Sequence, residues 1–390
     1  MMKLGQAGVE VRDCEHKTPL ATEVGHPYIA IPDIVDGRVS LENARRISEN
    51  DYVEWTKRTT PRVGDIVVTR RGRVGDTAPI PVEGCAVGQN LVILRSDETV
   101  ILQKYLRWAC RSPQWGRGVA DFLNVGAVFS SLNVRDIPKI SVPVPSEVAQ
   151  AKIAELLDAL DDKIAANEKT CSSLRDLQKS IWSRESRSLP RRPLIELAPP
   201  KLGGTPARSN PELWGGGAPW ASVRDMTGAK FGVILSTAET ITVNAAQPER
   251  LSPVPAGSVF LTARGTVGKV AVAGVDCACN QSAYAFVPQP GKNAALRLAI
   301  EGAVASLISR AHGSVFSTIT TSTLADAEVP DIYNASASRA TNELEVLEQR
   351  VVAGLKENVA LTRTRDEILP LLMNGRITVK DAEGAVGDVV

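Results

Sequence analysis

Histidine is scarce in this chain: His16, His26 and His312 are the only three in 390 residues. That leaves too few imidazoles for a histidine-rich metal site and little for a nucleophile–histidine triad. The six cysteines, Cys14, Cys85, Cys110, Cys171, Cys277 and Cys279, form no C-x-x-C pair. A zinc ribbon and a disulfide framework are therefore both unexpected, and a reducing cytoplasm is the expected compartment. No run approaches the roughly 18 apolar residues of a membrane helix, and Met1 to Gln6 lack the apolar stretch of a secretory signal. The nucleotide-binding pattern G-x-x-x-x-G-K-[ST], the zinc-protease pattern H-E-x-x-H and the hydrolase elbow G-x-S-x-G are all missing. So is the Asn/Asp-Pro-Pro-aromatic run of amino-methyltransferases; the one Pro-Pro pair, Pro199-Pro200, follows Ala198. Charge of neither sign dominates, with 45 Lys and Arg against 44 Asp and Glu. What is present, 43% hydrophobic and 23% charged residues, suits a globular chain long enough for two or three domains.

An internal repeat sets the architecture. The segment Gly64–Gly75 and the segment Gly257–Gly268 both read Gly-x4-Thr-x-Arg-Gly-x-Val-Gly. Upstream, Gly25, Pro27, Tyr28 and Asp33 pair with Gly217, Pro219, Trp220 and Asp225. Downstream, Cys85 pairs with Cys277, and the stretch from Gly126 to Ser130 with that from Gly313 to Ser317. Several motifs in one order, all about 190 residues apart, mark a tandem duplication.

Each half ends in a heptad pattern. In the first, Ile153, Leu157, Leu160, Ile164, Asn167, Cys171, Leu174, Gln178 and Ile181 recur at spacings of four and three. In the second, Ala340, Leu344, Leu347, Val351, Gly354, Asn358, Leu361, Arg365 and Ile368 do the same. These are a/d seams, and the reading is a helix pair whose polar members fix register. Packing of each helix on its own domain is the alternative. The expected fold is α/β (α+β): two similar globular domains separated by an antiparallel two-helix coiled coil with pseudo-two-fold symmetry. The expected boundaries are 1–146, a helix over 147–185, 186–336, a helix over 337–378, and a disordered tail over 379–390. About 35 helical residues at ~1.5 Å each predict a rod of roughly 50 Å. Within the domains, Gly64–Thr69, Val87–Leu94, Ser258–Thr262 and Ser282–Val287 read as strands, and Ile101–Ala109 and Ala294–Arg310 as helices.

The repeated Thr-x-Arg-Gly-x-Val-Gly reads most simply as a glycine-bearing turn. Its arginine, Arg71 or Arg264, holds the same slot while its neighbours vary. Basic residues crowd around it: Lys57, Arg58, Arg62, Arg70 and Arg73 in the first half, Arg208, Arg224 and Lys269 in the second. Arginine can grip phosphate or fork onto guanine, although a solvated basic face is the plainer explanation of any one residue. Gln89-Asn90 lies where Asn280-Gln281 sits in the second copy, and such amides can read adenine or cap a strand. The candidate DNA contacts are accordingly Arg70, Arg71, Arg73, Gln89, Asn90, Arg208, Arg264, Lys269, Asn280 and Gln281. Tyr28 and Trp220 read as core anchors.

Taken together these residues resemble the specificity subunits of type I restriction–modification systems. The carriers are Gly203-Gly204-Thr205-Pro206, Trp214 to Trp220 with Asp225, the duplicated turn, Ile140 to Pro145 leading into the first heptad helix, and Ile368 to Ile377. Departures are His16-Lys17-Thr18-Pro19 in place of Gly-Gly-Thr-Pro, and Gly354, Asn358 and Arg365 within the second seam. The resemblance implies a non-catalytic chain in which each domain reads one part of a split, asymmetric site in double-stranded DNA. It implies helices that set the spacing and dock methyltransferase subunits, with restriction (endonuclease/translocase) subunits as further partners and no membrane. S-adenosylmethionine, ATP and Mg²⁺ would belong to those partners, with no cofactor in this chain. A two-headed protein adaptor, a specificity chain of another modification system, and a nuclease using Asp33 with Asp161, Asp162 and Lys163 stay open at this level.

Overall fold

The computed structural model describes residues 1–15, 17–126, 130–247, 249–311 and 318–387. His16 and His312, and most of the repeat pair Gly126–Ser130 and Gly313–Ser317, lie outside the described residues. The chain forms two compact units, Met1–Lys163 with Ala360–Val390, and Ile164–Val359. Two long helices, Glu147–Glu185 and Ser338–Met373, each contribute one stretch to either unit.

In the first unit a four-stranded antiparallel sheet has Val9–Asp13 and Ile66–Thr69 flanking Leu91–Ser96, with Thr77–Pro79 at the far edge. Ile66–Thr69 is buried throughout, and its β-branched run suits a strand covered on both faces. A three-stranded sheet places His26–Ile29 between Arg45–Ile47, antiparallel, and Ala86–Val87, parallel. Ile29, Ile34, Val67, Ile80, Leu91 and Ile93 share one core. The second unit repeats this plan. Lys201 lies in the edge strand Pro200–Leu202, which pairs with Ala283–Phe286; that strand pairs with Val259–Thr262 and that in turn with Val270–Ala273. A smaller sheet sets Trp214–Ala221 between Glu239–Ile241 and Ala278–Cys279. The helix Asn293–Ala311 covers the larger sheet.

Within each unit the long helices run antiparallel and touch. In the second unit Cys171 meets Val351, Asn167 Nδ2 donates to Asn358 Oδ1 at 2.9 Å, and Asn358 Nδ2 donates to the Ile164 carbonyl at 3.1 Å. Gly354 lets the helices close: a Cβ there would stand 3.3 Å from Cys171 Sγ. In the first unit Ile153, Leu157, Leu160, Leu361 and Ile368 are buried, and Arg365 Nη1 reaches Asp161 Oδ1 at 2.6 Å. Ile164, Leu344 and Val351 are buried as the seam requires, whereas Leu174, Ile181 and Leu347 are half-buried. Leu174 packs against the cluster of Cys171, Val233, Val351 and Leu355, and Ile181 lies against the second unit's core, so helix pairing and helix-on-domain packing both occur.

One expectation is corrected. The tail predicted as disordered contains the helix Val379–Gly387. Thr378 Oγ1 accepts the Asp381 N–H at 3.2 Å while Asp381 accepts the Thr378 N–H at 2.9 Å, and Ala382 is fully buried. Small, acidic composition concealed a reciprocal N-cap.

Candidate nucleic-acid interface

The duplicated turn is the same structure in both units. Thr69 Oγ1 accepts the Asp76 N–H at 3.0 Å and donates to the Arg73 carbonyl; Thr262 Oγ1 accepts the Lys269 N–H at 2.9 Å and donates to the Thr266 carbonyl. The threonine thus closes a loop whose glycines take positive φ, 69° at Gly72 and 90° at Gly75, 75° at Gly265 and 84° at Gly268. A Cβ at Gly75 would also strike Val119, and one at Gly268 Val304 and Ile308, so the last glycine admits a helix. Glycine and threonine are therefore spent on the turn itself.

The arginine of the turn is left over. Arg71 and Arg264 are exposed, and among the described residues neither side chain has a hydrogen bond or ion pair; Lys269 is likewise exposed. Arg70 is half-buried, its N–H donating to the Asn90 carbonyl at 2.8 Å and its carbonyl accepting from Leu132 at 3.0 Å. Arg73 is committed elsewhere, with Nη2 on the carbonyls of Ile31 (2.8 Å) and Ile34 (2.5 Å) and Nε 3.3 Å from Asp76. Arg208 forks onto Glu239, 2.9 Å for one of the two bonds, and its guanidinium lies 3.8 Å from the Trp214 ring centroid and 5.3 Å from that of Trp220. Glu239 holds Arg208's pKa above, and Arg208 holds Glu239's below, the ordinary value, chiefly through this hydrogen bond.

The amide pairing read from the sequence is off by one residue. Leu91 N–H donates to the Gly88 carbonyl where Ala283 N–H donates to that of Asn280, and Gly88 N–H reaches Ile29 where Asn280 N–H reaches Ala221. Asn280 is thus the counterpart of Gly88, Gln281 of Gln89, and Ser282 of Asn90. Asn280 Oδ1 accepts the Ser282 N–H at 3.1 Å, a local cap. Gln89 Nε2 donates to Thr18 Oγ1 at 3.3 Å, and Gln281 Oε1 accepts from Thr205 Oγ1. The Thr18-Pro19 and Thr205-Pro206 steps therefore occupy one place in the two units, although only the second carries Gly-Gly before it. Gly203 is needed because a Cβ would stand 2.3 Å from the Cys279 carbonyl oxygen.

Tyr28 and Trp220, each 3% exposed, are core anchors. Trp220 Nε1 donates to the Gly204 carbonyl at 2.9 Å, and Tyr28 OH to that of Lys17 at 3.4 Å. Around Tyr28 lies a cleft of about 210 Å³ whose lining includes Thr18, Arg45, Gln89 and Asn90. In the first unit the strand pairing and the Gly88–Asn90 turn thus bring Gln89 and Asn90 to the cleft, while the Arg70 amide ties the arginine-bearing turn to that end of the sheet. In the second, Gln281 and Arg264 are joined in the same way through Ser282. Arg45 was not singled out by sequence. Its place opposite Tyr28 is created by strand pairing, for which the repeat offered no matching residue type.

Two of the three acidic residues of the nuclease alternative, Asp33 and Asp161, have structural work, while Asp162 is exposed. Asp33 Oδ2 accepts the Ala30 N–H at 2.8 Å, as Asp225 Oδ2 accepts that of Ser222 at 2.8 Å. Asp161 is buried among Arg107, Arg111 and Arg365. Among the described residues no cluster of three or more His, Cys, Asp or Glu side chains could hold a metal ion, and no helix is long and apolar enough to cross a membrane. Each cysteine is a buried free thiol.

The model of the type I restriction modification DNA specificity domain matches residues 14–174 and again 192–330. The chain belongs to this family. Among its relatives, the specificity subunit of the type I restriction enzyme MjaIX of Methanocaldococcus jannaschii is 32% identical over 89 residues, 23% of this chain and 21% of that protein. The HindI specificity subunit of Haemophilus influenzae is 25% identical over 198 residues, 47% of this chain and 40% of that one. The chain thus spans well under half the length of these relatives. The solved S subunit of a type I restriction–modification system from M. genitalium shares the fold, with a TM-score of 0.62 over 95% of both chains at 16% identity.

Proposed function

We propose that this chain is the DNA-recognition subunit of a type I restriction–modification complex, each unit reading one block of a split, asymmetric site in double-stranded DNA. The observation that carries the reading is the double match to a DNA specificity domain, one copy in each half of the chain. Both units also present, on the same threonine-closed turn, an exposed arginine whose side chain has no partner among the described residues. On this reading Arg71 and Arg264 hold phosphates and set register, while side chains beside the turns address base edges. The chain itself is non-catalytic. Methyltransferase subunits dock on its long helices, and restriction subunits join them; S-adenosylmethionine, ATP and Mg²⁺ belong to those partners, and the complex works in the cytoplasm.

Selection from randomised duplex DNA with the chain co-purified with its methyltransferase subunit tests this. Two short unequal blocks separated by indifferent base pairs are expected. A complex that enriches no sequence at low salt, where phosphate contacts are strongest, would overturn the proposal and leave a protein adaptor as the better reading.

A further inference from the structure

The hydrogen-bond equivalences place one residue of each unit in the same position with opposite charge. Tyr28 pairs with Arg45 across the smaller sheet of the first unit, and Trp220 pairs with Glu239 across that of the second. The two aromatics are equivalent by their burial and by the carbonyl each one binds. Arg45 and Glu239 therefore occupy one slot beside the anchor.

Their states differ. Arg45 is exposed at the edge of the cleft that Gln89 and Asn90 also line. Its Nη1 donates to the Pro19 carbonyl at 2.9 Å, and among the described residues Nε and Nη2 have no hydrogen-bond partner. A guanidinium held by one nitrogen beside an open cleft, with its other two nitrogens uncommitted among the described residues, is preorganised to offer a fork to guanine O6 and N7. In the second unit Glu239 is already gripped by Arg208, which is itself stacked on the indoles. That arginine's fork is occupied, so its slot cannot make the same offer.

Resting on the proposed reading of split DNA, we propose that this slot is a specificity position. Arg45 selects guanine in the block read by the first unit, and the Arg208–Glu239 pair denies that selection to the second. The duplicated fold would thus read two different blocks in part because one strand-paired residue changed sign.

The test repeats the DNA selection with the co-purified complex carrying Arg45→Ala, Arg45→Lys or Glu239→Gln. Arg45→Ala should remove a guanine preference of about 10-fold or more at one position of one block, leaving the other block unchanged. Arg45→Lys keeps the charge but loses the fork, and should restore overall affinity more than guanine preference. Glu239→Gln should alter only the other block. Both arginine variants should fold like the parent, with Arg45→Ala losing no more than about 1 kcal/mol with its one bond to the Pro19 carbonyl, so binding is compared well below both melting temperatures. A parent that yields its split motif while Arg45→Ala yields the same motif unchanged would overturn the inference and leave the proposed function standing. A parent with no split motif would overturn both.

Discussion

Two arginines of the first turn, Arg71 and Arg73, differ in what they already hold, and that difference separates their expected effects. The side chain of Arg71, like that of Arg264, has no partner among the described residues, so its replacement by alanine should leave melting unchanged, weaken DNA binding, and reduce the slope of log affinity against log salt by about 1. Arg73 binds two carbonyls and Asp76. Arg73→Ala should instead lower the stability of the first unit, by about 1 kcal/mol, with little change in salt slope. Denaturant titration beside salt-dependent binding distinguishes the two. The turn was legible in sequence because its glycines and threonine are required by backbone geometry and so recur in both copies. The amides misled by one position because Gln89-Asn90 and Asn280-Gln281 have similar composition, and only the hydrogen bonds of Gly88 and Asn280 reveal the true register. Arg45 and Glu239 were invisible because a slot whose charge differs between copies leaves no repeat to find.

The long helices are joined through buried polar layers. In the second unit Glu348 accepts two bonds from Arg175, one at 2.9 Å, and one from Gln178 at 3.0 Å, and lies 3.4 Å from Arg297 on the domain helix Asn293–Ala311. In the first unit Asp161 is held by Arg365 from the facing helix and Arg107 from the domain helix Gln103–Ala109. Each unit thus ties an acid on one helix to an arginine on the other and an arginine on the domain. Burial pushes the Glu348 carboxyl upward, but Arg297 and Arg175 outweigh it and hold it below the ordinary glutamate value of 4.5. Ionisation of Glu348 therefore stabilises the fold above pH 4.5, and that contribution fades as pH falls through the lower folded value. Arg175→Ala, which strands a buried carboxylate, should cost about 3–5 kcal/mol at neutral pH, and the difference from the parent should narrow below that pH. Urea melts at several pH values measure it. The heptads displayed the seam in sequence, with Gln178 and Arg365 interrupting it and Asp161 and Glu348 among the charges that flank it, but the ionic layers themselves were not legible, because their domain-borne arginines sit far away along the chain.

At the scale of the whole molecule, duplication in sequence and division in space follow different cuts. The repeat divides the chain into a first and a second half, whereas the compact units exchange the ends of their helices: Ala360–Val390 belongs with Met1–Lys163. Leu361, Ile368, Leu372 and Met373 are buried there, and Tyr105 OH lies 3.2 Å from Met373 Sδ. Leu361→Ala should therefore cost about 2–5 kcal/mol in the first unit, speeding amide exchange within residues 1–163 while residues 164–359 keep their protection. The same feature orders events during synthesis. Everything the second unit needs has been translated once Val359 is made, while the first unit still awaits the segment that completes it. The domain that leaves the ribosome first is thus the one finished last, and its exposed helix face must be kept from other chains until the later segment arrives.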